Sequence, residues 1–273
     1  MKILCVGDIV GQAGRQAVKE LLPKIKDEHG IEFTVINGEN SAGGAGISPR
    51  IANELLEYGC DVITLGDHTW DKREIYPFLQ EKINIIRPLN FPLGAPGRGS
   101  VIVETPSKVK LAVINLLGRV FMRYNVNCPF QELKKVVSEI RKITRNIIVD
   151  IHAETTSEKV ALGHFIDGEV SAVFGTHTHI QTADEKILPK GTAYITDLGM
   201  TGPYDSVIGQ NKEQIIQRFL TSMPVKFQVA TDDIKLCGIV VEIDPDTGLA
   251  KKIERVQRIY QSHVSAEEFS SQE

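Results

Sequence analysis

Asp67 and His68 set a carboxylate and an imidazole side by side, directly after the apolar, β-branched run Asp61-Val62-Ile63-Thr64-Leu65, which reads as a buried strand. Side chains of these kinds hold metal ions and move protons. Four other strand ends carry similar groups. Ile3 to Val6 is followed by Asp8, Phe33 to Ile36 by Glu39 and Asn40, Ile147 to Ile151 by His152, and Ala172 to Phe174 by His177 and His179. Taken singly, Asp8 reads as a turn or cap residue, Glu39-Asn40 as loop polarity and His152 as a core imidazole. Taken together, the carboxylates would repel one another strongly, since burying isolated charges costs on the order of tens of kcal/mol in Born-type estimates. Bound cations reverse that sign. A mixture of carboxylate, amide oxygen and imidazole suits Mn, Fe or Zn better than Mg or Ca. Asp8, Glu39, Asn40, Asp67, His152, His177 and His179 are too many ligands for one tetrahedral ion and fit two metals sharing a carboxylate. Two metals roughly 3.5–4 Å apart clamp the attacking and leaving oxygens of a displacement at phosphorus.

These residues need a scaffold that delivers them to one edge. In open parallel α/β sheets that edge is formed by the carboxyl ends of the strands. The chain begins β-α-β-α-β: helices are expected from near Arg15 to before Gly30, from Ser48-Pro49 to about Tyr58, and over Lys72 to Glu81, with a short strand at Ile83 to Ile86. Right-handed crossovers then make this part parallel. Val101 to Glu104 and Leu111 to Asn115 read as antiparallel neighbours, Pro129 to Arg145 and Gln210 to Leu220 as helices, and Thr192 to Ile195, Leu236 to Ile243 and Lys251 to Val256 as strands. One doubly wound sheet needs fewer strands, so the expected fold is α/β, with two packed mixed sheets flanked by helices. One domain over residues 1–262 and a polar tail over 263–273 are expected.

Asp8, Gly38-Glu39-Asn40, Gly66-Asp67-His68, His152 and Gly175-Thr176-His177-Thr178-His179 resemble the dispersed signature of the calcineurin-like metallophosphoesterases. Longer strings resemble the bacterial YmdB-like branch: Gly7 to Gly11, Asn37 to Gly44, His152-Ala153-Glu154, Thr156 to Lys159, and Thr201 to Gly209. The resemblance runs from Lys2 to about Tyr260 and implies a four-layer α/β/β/α sandwich. It implies that Asp8, Glu39, Asn40 and His179 hold one metal and that Glu39, Asp67, His152 and His177 hold a second, with Glu39 bridging. Hydroxide between the metals would attack phosphorus, and His68 would give its proton to the leaving alkoxide. The branch is associated with phosphodiesters, including 2',3'-cyclic nucleotides, and with iron or manganese. Position 67 departs from the usual pattern, in which Asn precedes the catalytic His; Asp67 keeps a ligand oxygen and adds negative charge. A phosphomonoesterase, an RNA nuclease and a nucleotide-binding regulator with little turnover are the alternatives.

The net charge of −4 provides no overall basic field for nucleic acid or anionic membrane, although a local patch could still serve RNA. Cys5, Cys60, Cys128 and Cys237 lack metal-site spacing and read as reduced thiols. No run approaches a membrane span and the N-terminus is no signal peptide, so a cytoplasmic protein is expected, as a homo-oligomer, dimer or tetramer. Gly7, Gly11 and Gly14 lack the dinucleotide-binding spacing and read as turn residues. Trp70 is expected to pack, His164 to be structural, and Arg119 to sit on the surface or reach a phosphate.

Overall fold

The computed structural model describes residues 1–260. In chain order its first half runs β1 (Lys2–Val6), β2 (Asp8–Ile9), α1 (Gly11–His29), β3 (Phe33–Asn37), α2 (Pro49–Glu57), β4 (Val62–Thr64), α3 (Ile75–Glu81), β5 (Ile85–Ile86), β6 (Ser100–Glu104) and β7 (Lys110–Leu117). The second half runs α4 (Pro129–Ile140), β8 (Ile147–His152), α5 (Thr156–Phe165), β9 (Ala172–Thr176), β10 (Lys186–Ile187), β11 (Ala193–Ile195), β12 (Met200–Pro203), α6 (Lys212–Thr221), β13 (Ile234–Ile243) and β14 (Ala250–Ile259).

Two mixed sheets result, as expected. The first has the order β2-β12-β13-β1-β3-β4-β5, with β14 against β13; the second has the order β10-β11-β9-β8-β7-β6. Strand alternation shows how they stack. On β1, Ile3 and Cys5 face the second sheet, meeting Val113, Ile148 and Phe174 in a core between the sheets. Leu4 and Val6 face the other way, onto Val18 and Leu22 of α1 and Leu55 of α2. On the far side Ile114, Ile147 and Val149 pack under Leu133 and Val137 of α4 and Leu162 of α5. The layers are therefore α/β/β/α, held by apolar burial on both faces of each sheet.

Local chemistry accounts for most element ends. Pro49 sits at the start of α2, and Ser48 Oγ accepts from Ile51 N–H (3.3 Å), capping it. The α1 helix starts four residues earlier than expected. Gly14 is helical; a side chain there would strike the Thr201 carbonyl of β12, so this glycine permits close packing instead of making a turn. The α4 helix stops at Ile140, short of Arg145, and α3 opens at Ile75, after Lys72. The α5 helix, β2, β10 and β12 have no counterpart among the expected elements. Trp70 does pack, edge-on to Tyr76 and Phe91 with ring centroids 5.4 and 5.3 Å apart. Cys5, Cys60 and Cys237 are buried free thiols and Cys128 is half-buried. His164 is exposed in the last turn of α5. No helix among the described residues is long and apolar enough to cross a membrane. The expected tail at 263–273 lies outside the described residues.

Candidate metal centre

Because β1, β3 and β4 run parallel to one another, as do β7, β8 and β9, their carboxyl ends open on one edge. Asp8 follows β1, Glu39 and Asn40 follow β3, Asp67 and His68 follow β4, His152 ends β8, and His177 and His179 follow β9. Asp8, Glu39 and His152 are fully buried, and Asn40, Asp67 and His179 nearly so.

Glu39, Asp67, His152 and His177 each offer a ligand atom, and these atoms lie within 4.8 Å of one another. His152 Nε2 is the hub: 2.9 Å from Glu39 Oε1, 3.1 Å from Asp67 Oδ1 and 3.0 Å from His177 Nδ1. Its tautomer follows from its other nitrogen. His152 Nδ1 lies 2.9 Å from Thr176 Oγ1, and that hydroxyl gives its proton to Asp150 Oδ1 (2.7 Å). The hydroxyl therefore accepts from Nδ1–H, and Nε2 is the nitrogen turned towards the carboxylates, where a metal ion or a proton can sit. Burial opposes charge on His152, yet Glu39, Asp67 and Asp8 outweigh it and raise its pKa well above the ordinary value. Burial also works against ionising Asp67, but His152 and His177 hold its carboxyl far below the usual range.

Asp8, Asn40 and His179 stand beside this quartet. Asn40 Nδ2 is 3.3 Å from Glu39 Oε1 and 3.1 Å from His179 Nε2, while Asn40 Oδ1 and Asp8 Oδ1 are buried with no hydrogen-bond partner. His179 Nδ1 lies 2.9 Å from the Ile208 carbonyl, which fixes the proton there and frees Nε2. Asp8 Oδ2 accepts from His177 N–H (3.2 Å), and burial pushes the Asp8 carboxyl above its ordinary range. Two orphaned oxygens, three buried carboxylates and the imidazoles of His152, His177 and His179 fit metal cations and little else. Gly66 belongs to the same cradle, since a Cβ there would overlap Glu39 Oε2 and the His152 ring.

His68 lies at the rim. Its N–H donates to Glu39 Oε2 (3.1 Å), and its Nδ1 is 2.7 Å from Asp71 Oδ2, whose other oxygen is 3.0 Å from Arg123 Nη1. Asp71 thus holds the proton on Nδ1 and leaves Nε2 free. Partial burial disfavours the imidazolium, but Glu39, Asp71 and Asp67 prevail and its pKa is raised.

The loop bearing the last two histidines is held under strain. His177 and His179 adopt φ of 97° and 64°, conformations that non-glycine residues rarely keep without support. Support comes from Asp197, whose Oδ2 accepts from Thr178 N–H (3.2 Å) and Thr178 Oγ1 (2.6 Å) and is 2.7 Å from Lys159 Nζ. Lys159 and Asp197 are both fully buried. Removing the cation alone strands a buried charge, which typically costs about 3–5 kcal/mol. Lys159→Met is therefore expected to lower the midpoint of thermal unfolding by about 10 °C, read by differential scanning calorimetry.

The sequence reading misses Asp71, Glu154 and the Lys159–Asp197 pair as parts of this site. Glu154 Oε2 is 3.0 Å from His177 Nε2. Asp71 and Glu154 lie in strings already singled out, three residues after His68 and two after His152, and that proximity is the signal that could have found them. Arg119, read as a surface residue or a phosphate contact, gives its backbone N–H to Glu158 Oε1 (3.0 Å) and has an exposed side chain.

This fold with this donor set defines a phosphoric ester hydrolase of the metallophosphoesterase type. The family model described as YmdB-like protein matches residues 4–256, and the chain belongs to that family. It is 52% identical over 256 residues to a 2',3'-cyclic-nucleotide 2'-phosphodiesterase of Bacillus subtilis (strain 168), covering 94% of this chain and 96% of that one. Among solved structures, a novel phosphatase of Mycoplasma pneumoniae superposes with a TM-score of 0.89 at 37% identity, over 95% of this chain and 93% of that one. A Thermus thermophilus protein described as hypothetical does so with a TM-score of 0.89 at 38% identity, over 96% of this chain and 100% of that one.

Proposed function

We propose that this enzyme opens 2',3'-cyclic nucleotides as a phosphodiesterase working with two metal ions, iron or manganese. Asp8, Glu39, Asn40 and His179 hold one ion; Glu39, Asp67, His152 and His177 hold the other. When bound, the ions supply a water of lowered pKa and positive charge facing the phosphoryl oxygens. The chain does the rest. Glu39 keeps the two halves of the ligand set together, and the Thr176–Asp150 pair keeps His152 in its ligating tautomer. His68 Nε2 delivers a proton to the departing 2' oxygen as the P–O bond breaks, while Asp71 stabilises the imidazolium and aims it. Attack is direct, with no covalent phosphoenzyme, and the product is the nucleoside 3'-phosphate.

The observation that carries this reading is the convergence of Glu39, Asp67, His152 and His177 within 4.8 Å, adjoining the His68–Asp71 pair. The test is turnover of 2',3'-cyclic AMP, bis-p-nitrophenyl phosphate, p-nitrophenyl phosphate and short RNA by protein loaded with Mn or Fe under anaerobic conditions. Release of adenosine 3'-phosphate as the main product is expected. Faster cleavage of the monoester than of either diester would replace this reading with a phosphomonoesterase.

The proton-donor role has its own check. His68→Ala is expected to retain its metal and to lose roughly 10^3-fold in kcat on 2',3'-cyclic AMP, whose leaving alkoxide needs a proton. On bis-p-nitrophenyl phosphate, whose leaving group needs none, the loss should be about tenfold or less. Equal losses on both would remove His68 from that role.

A further inference from the structure

We propose that Phe121 is the platform on which the base of the nucleotide stacks; this rests on the phosphodiesterase reading above and adds its specificity element. The connection between β7 and α4 runs along the rim of the metal centre and is fastened to it residue by residue. The N–H groups of Arg119 and Val120 donate to the Glu158 carboxylate, at 3.0–3.3 Å. Met122 Sδ accepts from Glu154 N–H (3.2 Å), and Glu154 Oε2 is 3.0 Å from His177 Nε2. Arg123 Nη1 is 3.0 Å from Asp71 Oδ1, and Asp71 Oδ2 is 2.7 Å from His68 Nδ1. The Tyr124 ring stacks edge-on to Phe91 (5.4 Å), which in turn meets Trp70.

Between these fastenings stands Phe121, with 86% of its surface exposed. Its backbone is left-handed, at φ 61°. Neither burial nor backbone preference places a large aromatic residue there: a bulky side chain at positive φ is strained, and an exposed ring gains nothing from the core. Both costs are recovered if the ring has an occupant. Residue 122 touches the group beside His177, and residue 123 touches the group that orients His68. Phe121 therefore sits within two residues of contacts to both sides of the reacting centre, where the part of a substrate beyond the ribose would lie. A nucleobase offers a flat π face whatever its identity, and base–aromatic stacking tolerates any sequence. Neighbouring Arg123, 5.1 Å from the Tyr124 ring centroid, adds a cation at the same rim. The platform predicts nucleoside cyclic phosphates as substrates, with all four bases accepted and purines bound more tightly.

The experiment compares metal-loaded wild type, Phe121→Ala and Phe121→Trp on 2',3'-cyclic AMP and on glycerol 1,2-cyclic phosphate, which keeps the strained cyclic diester and lacks a base. Phe121→Ala should raise KM for 2',3'-cyclic AMP about tenfold with kcat within about twofold, and leave glycerol 1,2-cyclic phosphate unchanged. Phe121→Trp should restore KM. The emission that this variant gains over the Trp70 emission of wild type should be quenched by adenosine 3'-phosphate and not by glycerol phosphate. Equal shifts on both substrates, or no shift on either, would overturn the platform while turnover of the diesters leaves the phosphodiesterase standing. If wild type turned over neither diester, the phosphodiesterase would fall; absence of quenching by adenosine 3'-phosphate would then dispose of the platform as well.

Discussion

Glu39→Ala is expected to strip the centre of metal and to lower kcat/KM for 2',3'-cyclic AMP by at least roughly 10^4-fold, the loss of several kcal/mol of transition-state charge stabilisation. Glu39 is the carboxylate that touches both halves of the ligand set. Its Oε1 is 2.9 Å from His152 Nε2 and 3.3 Å from Asn40 Nδ2, and its Oε2 accepts from the His68 backbone. Shortening it to a methyl unlinks the two halves and frees the turn that aims the proton donor. Metal analysis and thermal unfolding separate this from misfolding. Without metal, the variant has one fewer buried carboxylate beside Asp8 and Asp67, so its unfolding midpoint should stay close to that of metal-free wild type. Added Mn should raise the wild-type midpoint, because an ion that binds only the folded chain stabilises it by mass action. In Glu39→Ala that rise should vanish. A variant that keeps two equivalents of metal would show that Glu39 does not bridge.

The parts of this site that are legible in the sequence are those in which a β-branched strand run ends on a polar residue. Ile3 to Val6 is apolar on both faces, and Phe33 to Ile36 and Ile147 to Ile151 are so apart from Thr34 and Asp150, as suits strands covered by a helix on one side and a sheet on the other. Their polar ends therefore stand out. The α5 helix escapes for the converse reason. Its buried residues are Glu158, Lys159, Leu162 and Gly163, so two of the four are charged and no apolar stripe exists to be found. Those charges are buried because each has a remote partner: Glu158 in the N–H groups of Arg119 and Val120, Lys159 in Asp197. Partnership across 38 or 39 residues is set by the fold and leaves no periodic trace. The same holds for Arg123 with Asp71, 52 residues apart. Glycines mislead in one place, since sequence alone treats Gly11 and Gly14 alike as turn-makers. Gly11 does take φ 58°, whereas Gly14 is helical and is there to let α1 approach β12.

Gly66 provides the sharpest test of whether the cradle is shaped for metal, because replacing it removes no ligand. Its backbone does not require glycine: it is absent from the residues with left-handed φ. What requires glycine is space, since a methyl group at this position would overlap Glu39 Oε2 and both Cδ2 and Nε2 of His152. Those atoms cannot step aside cheaply. Glu39 is pinned by the His68 N–H, and His152 by Thr176, whose hydroxyl is pinned in turn by Asp150. Fully buried side chains in a close-packed interior convert an extra methyl into off-rotamer shifts that cost about 1–3 kcal/mol. Here the displaced atoms are the ligating ones. Gly66→Ala should fold, lose metal affinity and lose roughly 10^3-fold in kcat/KM, with Asp8, Glu39, Asn40, Asp67, His152, His177 and His179 all still present. Metal titration followed by calorimetry checks it, against Gly43→Ala as a control, where a Cβ meets nothing within 4 Å although its φ of 65° adds some strain. A Gly66→Ala protein that bound two metals with wild-type affinity would mean that the Glu39 and His152 ligand atoms are not where the ions sit.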